Sequence, residues 1–236
     1  MAPWFYFSPL ADVGTSVVLD AREARHATGA RRLDVGDAVC LFDGAGRVMQ
    51  AVITSATSRE VVLEGRSHEH YPPPTPHVHL AAALPKGDRQ STMLSMATQL
   101  GMSAFTPLQC SRSIARPTAS FADRTRRIFI ESCKQSRRPH LPAIFRPCTI
   151  DDLAHNAGHD GSLLVLAHPG GEPARPVLDE QARLQRVVLL VGPEGGFTDE
   201  EVVAAQKGGA KVVSLGSGVL RIETAAVALL ALVLAG

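Results

Sequence analysis

Two glycine-rich loops near the end of the chain carry the residue types that cradle a small polar ligand. The first, Gly192-Pro193-Glu194-Gly195-Gly196-Phe197, follows the apolar run Val187–Val191. The second, Gly216-Ser217-Gly218, follows Lys211–Leu215 and leads into Val219-Leu220-Arg221-Ile222-Glu223-Thr224. A short aliphatic run that stops at Gly-Pro reads as a buried parallel strand ending in a turn. Thr198-Asp199-Glu200-Glu201 has the Thr-x-x-Glu form of a capping box, so a helix starts there and runs to Lys207 before Gly208-Gly209. Glycine lets backbone approach a ligand closely, and a helix start offers unpaired N–H groups. Ser162–Ala167 reads as another strand, ending at a third loop of this kind, His168-Pro169-Gly170-Gly171. Each loop alone also reads as an ordinary strand-to-helix turn. Together they predict one pocket, with Gly195 and Gly216 in its walls. No Gly-x-Gly-x-x-Gly, no phosphate loop ending in Gly-Lys-Ser/Thr and no Gly-x-Ser-x-Gly elbow occurs, which speaks against dinucleotide, nucleotide and hydrolase readings.

The elements that must hold these loops follow from the rest of the pattern. From Val78 onward strands and helices alternate, which predicts an α/β domain with a parallel sheet. Val78–Leu84 is a strand, a helix follows to Leu100-Gly101, Ala104–Leu108 is a second strand, and a basic helix runs from about Ser120 to Arg138. The tail from Thr224 to Ala235 is apolar on every face and too short for a bilayer, which takes ~20 residues, so it is expected as a helix sunk in protein. Upstream, Asp37–Asp43, Arg47–Thr57 and Arg59–Gly65 read as strands of a small β domain, preceded by a short helix and turn over His26–Gly36. The proline cluster Tyr71-Pro72-Pro73-Pro74-Thr75-Pro76-His77 reads as a stiff linker. The expected division is therefore 1–70, a linker 71–77, and 78–236.

At 236 residues the chain can bury a full core, and 45% hydrophobic with 20% charged residues is a globular composition. The net charge of +1 hides an asymmetry: between Cys110 and Pro147 nine basic residues face only Asp123 and Glu131, so this window carries +7 and the remainder −6. Such concentration is the footprint of a nucleic-acid surface, although Asp123 and Arg127, at i,i+4, also suit a solvated helix face. Histidines 68, 70, 77 and 79, and the pair His155/His159, lack a converging acidic or cysteine ligand set, and no metal is expected. Cys40, Cys110, Cys133 and Cys148 show no Cys-x-x-Cys spacing and read as free thiols of a reducing cytosol. The N-terminal residues lack the basic and apolar regions of a signal peptide, so a cytoplasmic protein with no membrane segment is expected.

Leu190–Glu201 and Ser214–Ala225 together resemble the paired C-terminal motifs of the SPOUT class of methyltransferases, and within it the ribosomal RNA small-subunit methyltransferase E family. His26 with Arg31-Arg32-Leu33-Asp34-Val35-Gly36-Asp37, Lys86-Gly87-Asp88-Arg89 with Ala97-Thr98-Gln99-Leu100-Gly101, and Gln135-Ser136 with Arg138 agree. The resemblance covers nearly the whole chain. It implies an N-terminal PUA-like RNA-binding β-barrel and a C-terminal trefoil-knotted α/β domain. It further implies a homodimer, S-adenosylmethionine as methyl donor, and methylation of N3 of a uridine in small-subunit (16S) ribosomal RNA, free or in the 30S particle. The donor would be held by Leu166, His168, Gly192, Pro193, Glu194, Gly195, Leu215, Gly216, Val219, Leu220 and Thr224. Arg221 would stabilise the anion developing on the base, and Glu223 or Glu194 would accept its proton. RNA would meet His26, Arg31, Arg32, Lys86, Arg89, Arg112, Arg124, Arg127 and Arg138. Ribose 2′-O-methylation and a catalytically silent RNA-binding dimer are the alternatives. Four places depart from the family pattern. Ser217-Gly218 replaces Pro-Arg, Ile222 replaces a threonine, Met96 and Gln99 replace a Lys and a Glu, and Lys134 replaces a Glu.

Overall fold

The computed structural model describes residues 2–57, 59–179 and 185–234. They form two compact units. The first comprises the residues up to Pro73 together with Cys133–Leu141, and the second Pro74–Ser132 with the residues from Pro142 onward.

The first unit is built on a five-stranded sheet in the order β1-β3-β4-β5-β2, from Trp4–Tyr6 (β1), Ser16–Val18 (β2), Ala38–Phe42 (β3), Arg47–Ala56 (β4) and Val61–His70 (β5). Only β1 and β3 run parallel. Apolar residues alternate inward along β4 and the first half of β5, and Val39, Leu41, Met49, Ala51, Ile53, Val61 and Leu63 form the core with Phe5. Between β2 and β3, the short helix Ala21–Arg25 (α1) is capped by Asp20, whose carboxylate accepts from Arg22 N and Glu23 N, and runs into a π-helical turn, His26–Ala30.

The inclusion of residues 133–141 in this unit is not foreshadowed by the expected linear division of the chain. Gly46 N donates to Pro139 O and Leu141 N to Gly44 O, so the segment docks as an extra rail on the β3–β4 turn. The turn accepts it because a Cβ at Gly46 would lie 2.6 Å from His140 Nε2 and 2.5 Å from Tyr71 O.

The second unit is a six-stranded, all-parallel sheet in the order β11-β9-β10-β6-β7-β8. Its strands are His77–Ala82 (β6), Ala104–Pro107 (β7), Ala143–Ile144 (β8), Leu163–Pro173 (β9), Arg186–Val191 (β10) and Lys211–Ser214 (β11). Its helices are Arg89–Leu100 (α2), Phe121–Ser136 (α3, whose last turn belongs to the first unit), Ile150–Asp160 (α4), Ala174–Asp179 (α5), Asp199–Lys207 (α6) and Ile222–Leu234 (α7). The capping box Thr198/Glu201 is formed as its sequence predicts, and α2 ends on Gly101 in the left-handed conformation at φ +114. From Val187 onward β10 is buried and reads as an unbroken apolar run, as a strand covered on both faces does.

Two expectations change. His168–Gly171, expected as a free loop, lies inside β9 but drops out of the ladder with β11. Val212 pairs with Leu166 and the next residue, Val213, pairs with Glu172, so the residues between bulge outward. The C-terminal helix α7, expected to be sunk on every face, buries Ile222, Ala225, Ala226, Leu229 and Leu230 against α2, β6 and β10. Val227, Ala228, Ala231, Leu232, Val233 and Leu234 stay half-buried.

Candidate functional site

Strands β9, β10 and β11 are neighbours, and the bulge within β9 converges with the loops at the carboxyl ends of β10 and β11 on one cleft. Its lining comes from Ala167, His168 and Pro169 in the β9 bulge, from Gly192, Pro193, Glu194, Gly196 and Phe197 after β10, and from Leu215, Gly216, Gly218, Val219 and Leu220 after β11. Ile222 and Ala225 of α7 close its floor. Measured to its open mouth, the cleft and the solvent space in front of it come to about 670 Å³. The carboxyl ends of parallel strands are where open α/β sheets bind ligands.

Local chemistry fixes each wall. Gly196 sits at φ +71 and donates its N–H to Pro193 O at 2.8 Å, making a tight turn of the first glycine loop. A Cβ at Gly192 would meet the buried ring of Phe197 at 3.0 Å, so the loop closes only on glycine. Gly216 sits at φ +115, a conformation L side chains rarely adopt, with open space around it. In the β9 bulge, His168 Nδ1 accepts from Gly170 N at 3.1 Å, which orients the ring at the cleft edge.

The cleft is mainly apolar and backbone-lined, with the Glu194 carboxylate in its lining and Glu223 outside it. Glu194 forms an ion pair with Arg89 at 3.4 Å, both side chains about a third exposed. Glu223, in the first turn of α7, has a buried Oε2 without a hydrogen-bond partner among the described residues. Arg221, just before it, is exposed.

Of the residues expected to hold a ligand, His168, Gly192, Pro193, Glu194, Leu215, Gly216, Val219 and Leu220 line the cleft. Three do not. Leu166 is fully buried beneath it, in the core with Leu164, Leu190 and Ala205. Thr224 is exposed on the side of α7 away from Ile222 and Ala225. Gly195 turns away from the cleft: a Cβ there would meet Cβ and Cδ of Arg112 at 3.3 Å. Val191, Phe197, Ile222 and Ala225 are lining residues that the sequence reading passed over. A helix beginning at Ile222 places the i,i+3 pair Ile222/Ala225 on one face, and that phase was the available signal.

The expected RNA residues divide between the units. His26, Arg31, Arg32 and Arg138 belong to the first, with Arg31 Nε donating to His26 Nε2 at 3.3 Å and Arg32 held at φ +53. Lys86, Arg89, Arg112, Arg124 and Arg127 belong to the second. On α3, Phe121, Thr125, Phe129 and Cys133 are buried at four-residue spacing, which leaves Arg124, Arg126 and Arg127 exposed. Arg124 is tied to Ser120 Oγ and Thr118 Oγ1, whereas the expected Asp123–Arg127 ion pair is not formed. Arg112 is not free for RNA alone: its Nη1 donates to Gly195 O at 2.8 Å and Phe197 O at 3.3 Å. Among the described residues no group of three or more His, Cys, Asp or Glu is placed to hold a metal ion. No helix among them is long and apolar enough to cross a membrane.

Comparison with known proteins agrees with this architecture. A family model described as an RNA methyltransferase domain matches residues 72–234, and one described as an RNA methyltransferase PUA domain matches residues 19–64. Ribosomal RNA small subunit methyltransferase E of Mycobacterium tuberculosis is 31% identical over 234 residues, covering 96% of this chain and 88% of that protein. The Synechocystis protein of the same name is 32% identical over 227 residues, covering 95% and 75%. Among solved structures, the Neisseria gonorrhoeae ribosomal RNA small subunit methyltransferase E bound to S-adenosyl methionine superposes with a TM-score of 0.87 at 27% identity, covering 98% of this chain and 96% of that one. A Legionella pneumophila methyltransferase in complex with the same cofactor gives 0.89 at 27% identity, covering 100% and 98%. With its half-barrel unit, its parallel sheet and its cleft between the β9 bulge and the loops after β10 and β11, the chain belongs to the ribosomal RNA small subunit methyltransferase E family.

Proposed function

We propose that this protein transfers a methyl group from S-adenosylmethionine to N3 of a uridine in small-subunit ribosomal RNA, acting in the cytoplasm as a homodimer. The observation that carries the reading is the single cleft formed by the β9 bulge and the loops after β10 and β11. Its residues suit the donor. Apolar walls from Leu215, Leu220 and Ile222 fit the donor's purine and aliphatic chain, and close backbone at Gly192 and Gly216 leaves room for them. The unpartnered Oε2 of Glu223 is a buried acceptor of the kind a bound ligand or substrate proton satisfies. When bound, the sulfonium supplies a methyl group primed for in-line displacement.

This chain's own residues then act mainly by placement, an effect worth up to roughly 7–11 kcal/mol in favourable cases. The loops at 192–197 and 215–220 fix one reactant. Uracil N3 carries a proton that must leave before or during attack. Glu223 is the better acceptor than Glu194, whose carboxylate is engaged by Arg89. Arg221, exposed beside Glu223, is placed in sequence to steady negative charge on the base oxygens. The target must leave any stack to reach the cleft, which favours a single-stranded or loop site. His26, Arg31, Arg32 and Arg138 on one unit, and Lys86, Arg89, Arg124 and Arg127 on the other, are the proposed phosphate contacts. The half-buried apolar residues of α7 from Val227 to Leu234 support the homodimer, with a second copy as their cover, and with the family comes the C-terminal knot. Calorimetry with S-adenosylmethionine, followed by mass spectrometry of nucleosides from treated 30S particles and free RNA, tests the reading. Donor binding with 3-methyluridine is expected. Ribose methylation would move the target to the 2′ oxygen, and absence of donor binding would leave an RNA-binding dimer.

A further inference from the structure

We infer that Arg112 is a positioning residue, whose guanidinium holds the first glycine loop in the shape that walls the donor cleft. The inference rests on the proposed function only in taking the cleft's ligand to be the donor. Sequence patterning places Arg112 in the basic window and so among RNA contacts, but its geometry is that of a clamp. Nη1 donates to two carbonyls of the loop, Gly195 O at 2.8 Å and Phe197 O at 3.3 Å. Its stem lies on Gly195, where a Cβ would come within 3.3 Å of Arg112 Cβ and Cδ, so a glycine is what lets the side chain lie flat on the loop.

The neighbouring residue makes a second tie. Ser111 N donates to Glu201 Oε1 at 2.7 Å, while Glu201 Oε2 accepts from Thr198 N at 2.8 Å, so the capping box of α6 is held from outside. The turn that presents both residues is itself closed, with Ser113 N donating to Cys110 O and Cys110 N to Ser113 Oγ, each at 3.0 Å. The turn after β7 therefore grips the loop after β10 at Gly195, Phe197 and, through Glu201, Thr198. The other side of the same stretch, at Gly192, Pro193, Glu194, Gly196 and Phe197, faces the cleft. A six-residue loop carrying three glycines has a broad set of conformations to lose on binding, and an external clamp removes that loss in advance. A charge-assisted hydrogen bond suits the task, since a guanidinium keeps its proton and can serve two carbonyls at once.

The test uses the full-length protein, Arg112→Ala and Arg112→Lys, with three readouts. Hydrogen–deuterium exchange of the unliganded protein follows the 192–198 stretch, whose Gly196 N–H is bonded to Pro193 O. Calorimetry with S-adenosylmethionine gives donor affinity, and filter binding gives RNA affinity. Loss of hydrogen bonds from a charged donor predicts exchange in 192–198 faster by ~10-fold or more in Arg112→Ala and donor affinity weaker by a similar factor. Arg112→Lys, able to reach one carbonyl, should recover part of both. Unchanged exchange and donor affinity with weakened RNA binding would overturn the clamp and return Arg112 to the RNA surface. If the wild type binds no donor, the proposed function fails, while the exchange measurement still decides the clamp. Should Arg112→Ala not fold, Arg112→Lys supplies the same readouts at smaller amplitude, and wild-type exchange in it would equally refute the inference.

Discussion

Lys134, in the last turn of α3, forms a buried ion pair with Glu23 of α1. Nζ lies 2.9 Å from both carboxylate oxygens, and the two side chains are only 5% and 10% exposed. The ammonium also lies 5.8 Å from the centroid of the Phe5 ring. At such burial water cannot take over when one partner is removed, so the remaining charge is stranded. Lys134→Met keeps the apolar stem and leaves Glu23 uncompensated, and it should cost ~3–5 kcal/mol. Glu23→Leu should cost a similar amount. Lys134→Met with Glu23→Leu strands nothing and fills the same volume, so it should lie within ~1–2 kcal/mol of the wild type or above it. Domain stabilities are ~5–15 kcal/mol, so either single change should shift the unfolding transition visibly.

Trp4 makes the measurement specific. It is the chain's one tryptophan, it lies in β1, and its ring centroid is 5.5 Å from that of Phe42 within the same unit. Urea denaturation followed by tryptophan fluorescence therefore reports the unit that contains the pair, independently of the second. The double-mutant cycle gives the coupling directly. Additive costs, or single changes costing less than ~1 kcal/mol, would refute the argument that the segment 133–141 is pinned to the first unit through this pair.

Three further outcomes can be checked. Gly216→Ala should lower the melting temperature through its left-handed backbone, at ~1–3 kcal/mol. It should also weaken donor binding in calorimetry, whereas Gly195→Ala, free of positive-φ strain but pressing on the Arg112 stem at 3.3 Å, should cost less in melting temperature than Gly216→Ala. His79, hydrogen-bonded to Thr106 Oγ1 at 2.8 Å, has its imidazole pushed down to about 4 by burial, with the nearby His77 adding to the effect. The unfolded chain, titrating near 6.5, then binds more protons, so stability is fully present above that value and falls by roughly 2.5 kcal/mol as pH drops from 7.5 to 4.5. His79→Asn should flatten that part of the pH dependence in chemical melts. Finally, Arg127, exposed on α3, should reduce the salt slope of RNA binding by ~0.7–0.9 when changed to Ala; an unchanged slope would make it a merely solvated residue.

What could be read in advance was what neighbouring residues decide among themselves. Thr198 and Glu201 cap α6 because the box closes over four residues, and Gly101 ends α2 because only a glycine rests easily at φ +114. The three-residue strands β1 and β2 were missed because so short an edge carries no period. The bulge between Leu166 and Glu172 could not be read either, since the chain leaves the ladder to let β11 pass: a Cβ on Gly171 would stand 2.6 Å from Val213 backbone. Gly195 and Gly216 show the same limit from the other side. Both glycines promised a pocket wall, and the loops do converge, yet one faces the cleft and the other faces Arg112, eighty-three residues away in the chain. Composition identifies a position where a side chain is unwelcome, but the reason lies in whatever the fold brings there. Thr224 differs, because its error was avoidable. Once α7 begins at Ile222, 100° per residue puts Ala225 with Ile222 on the cleft side and turns Thr224 about 200° away, toward solvent. The threonine came into the ligand set with the family motif, whereas its helical phase points to its apolar neighbours Ile222 and Ala225 as the lining of the cleft.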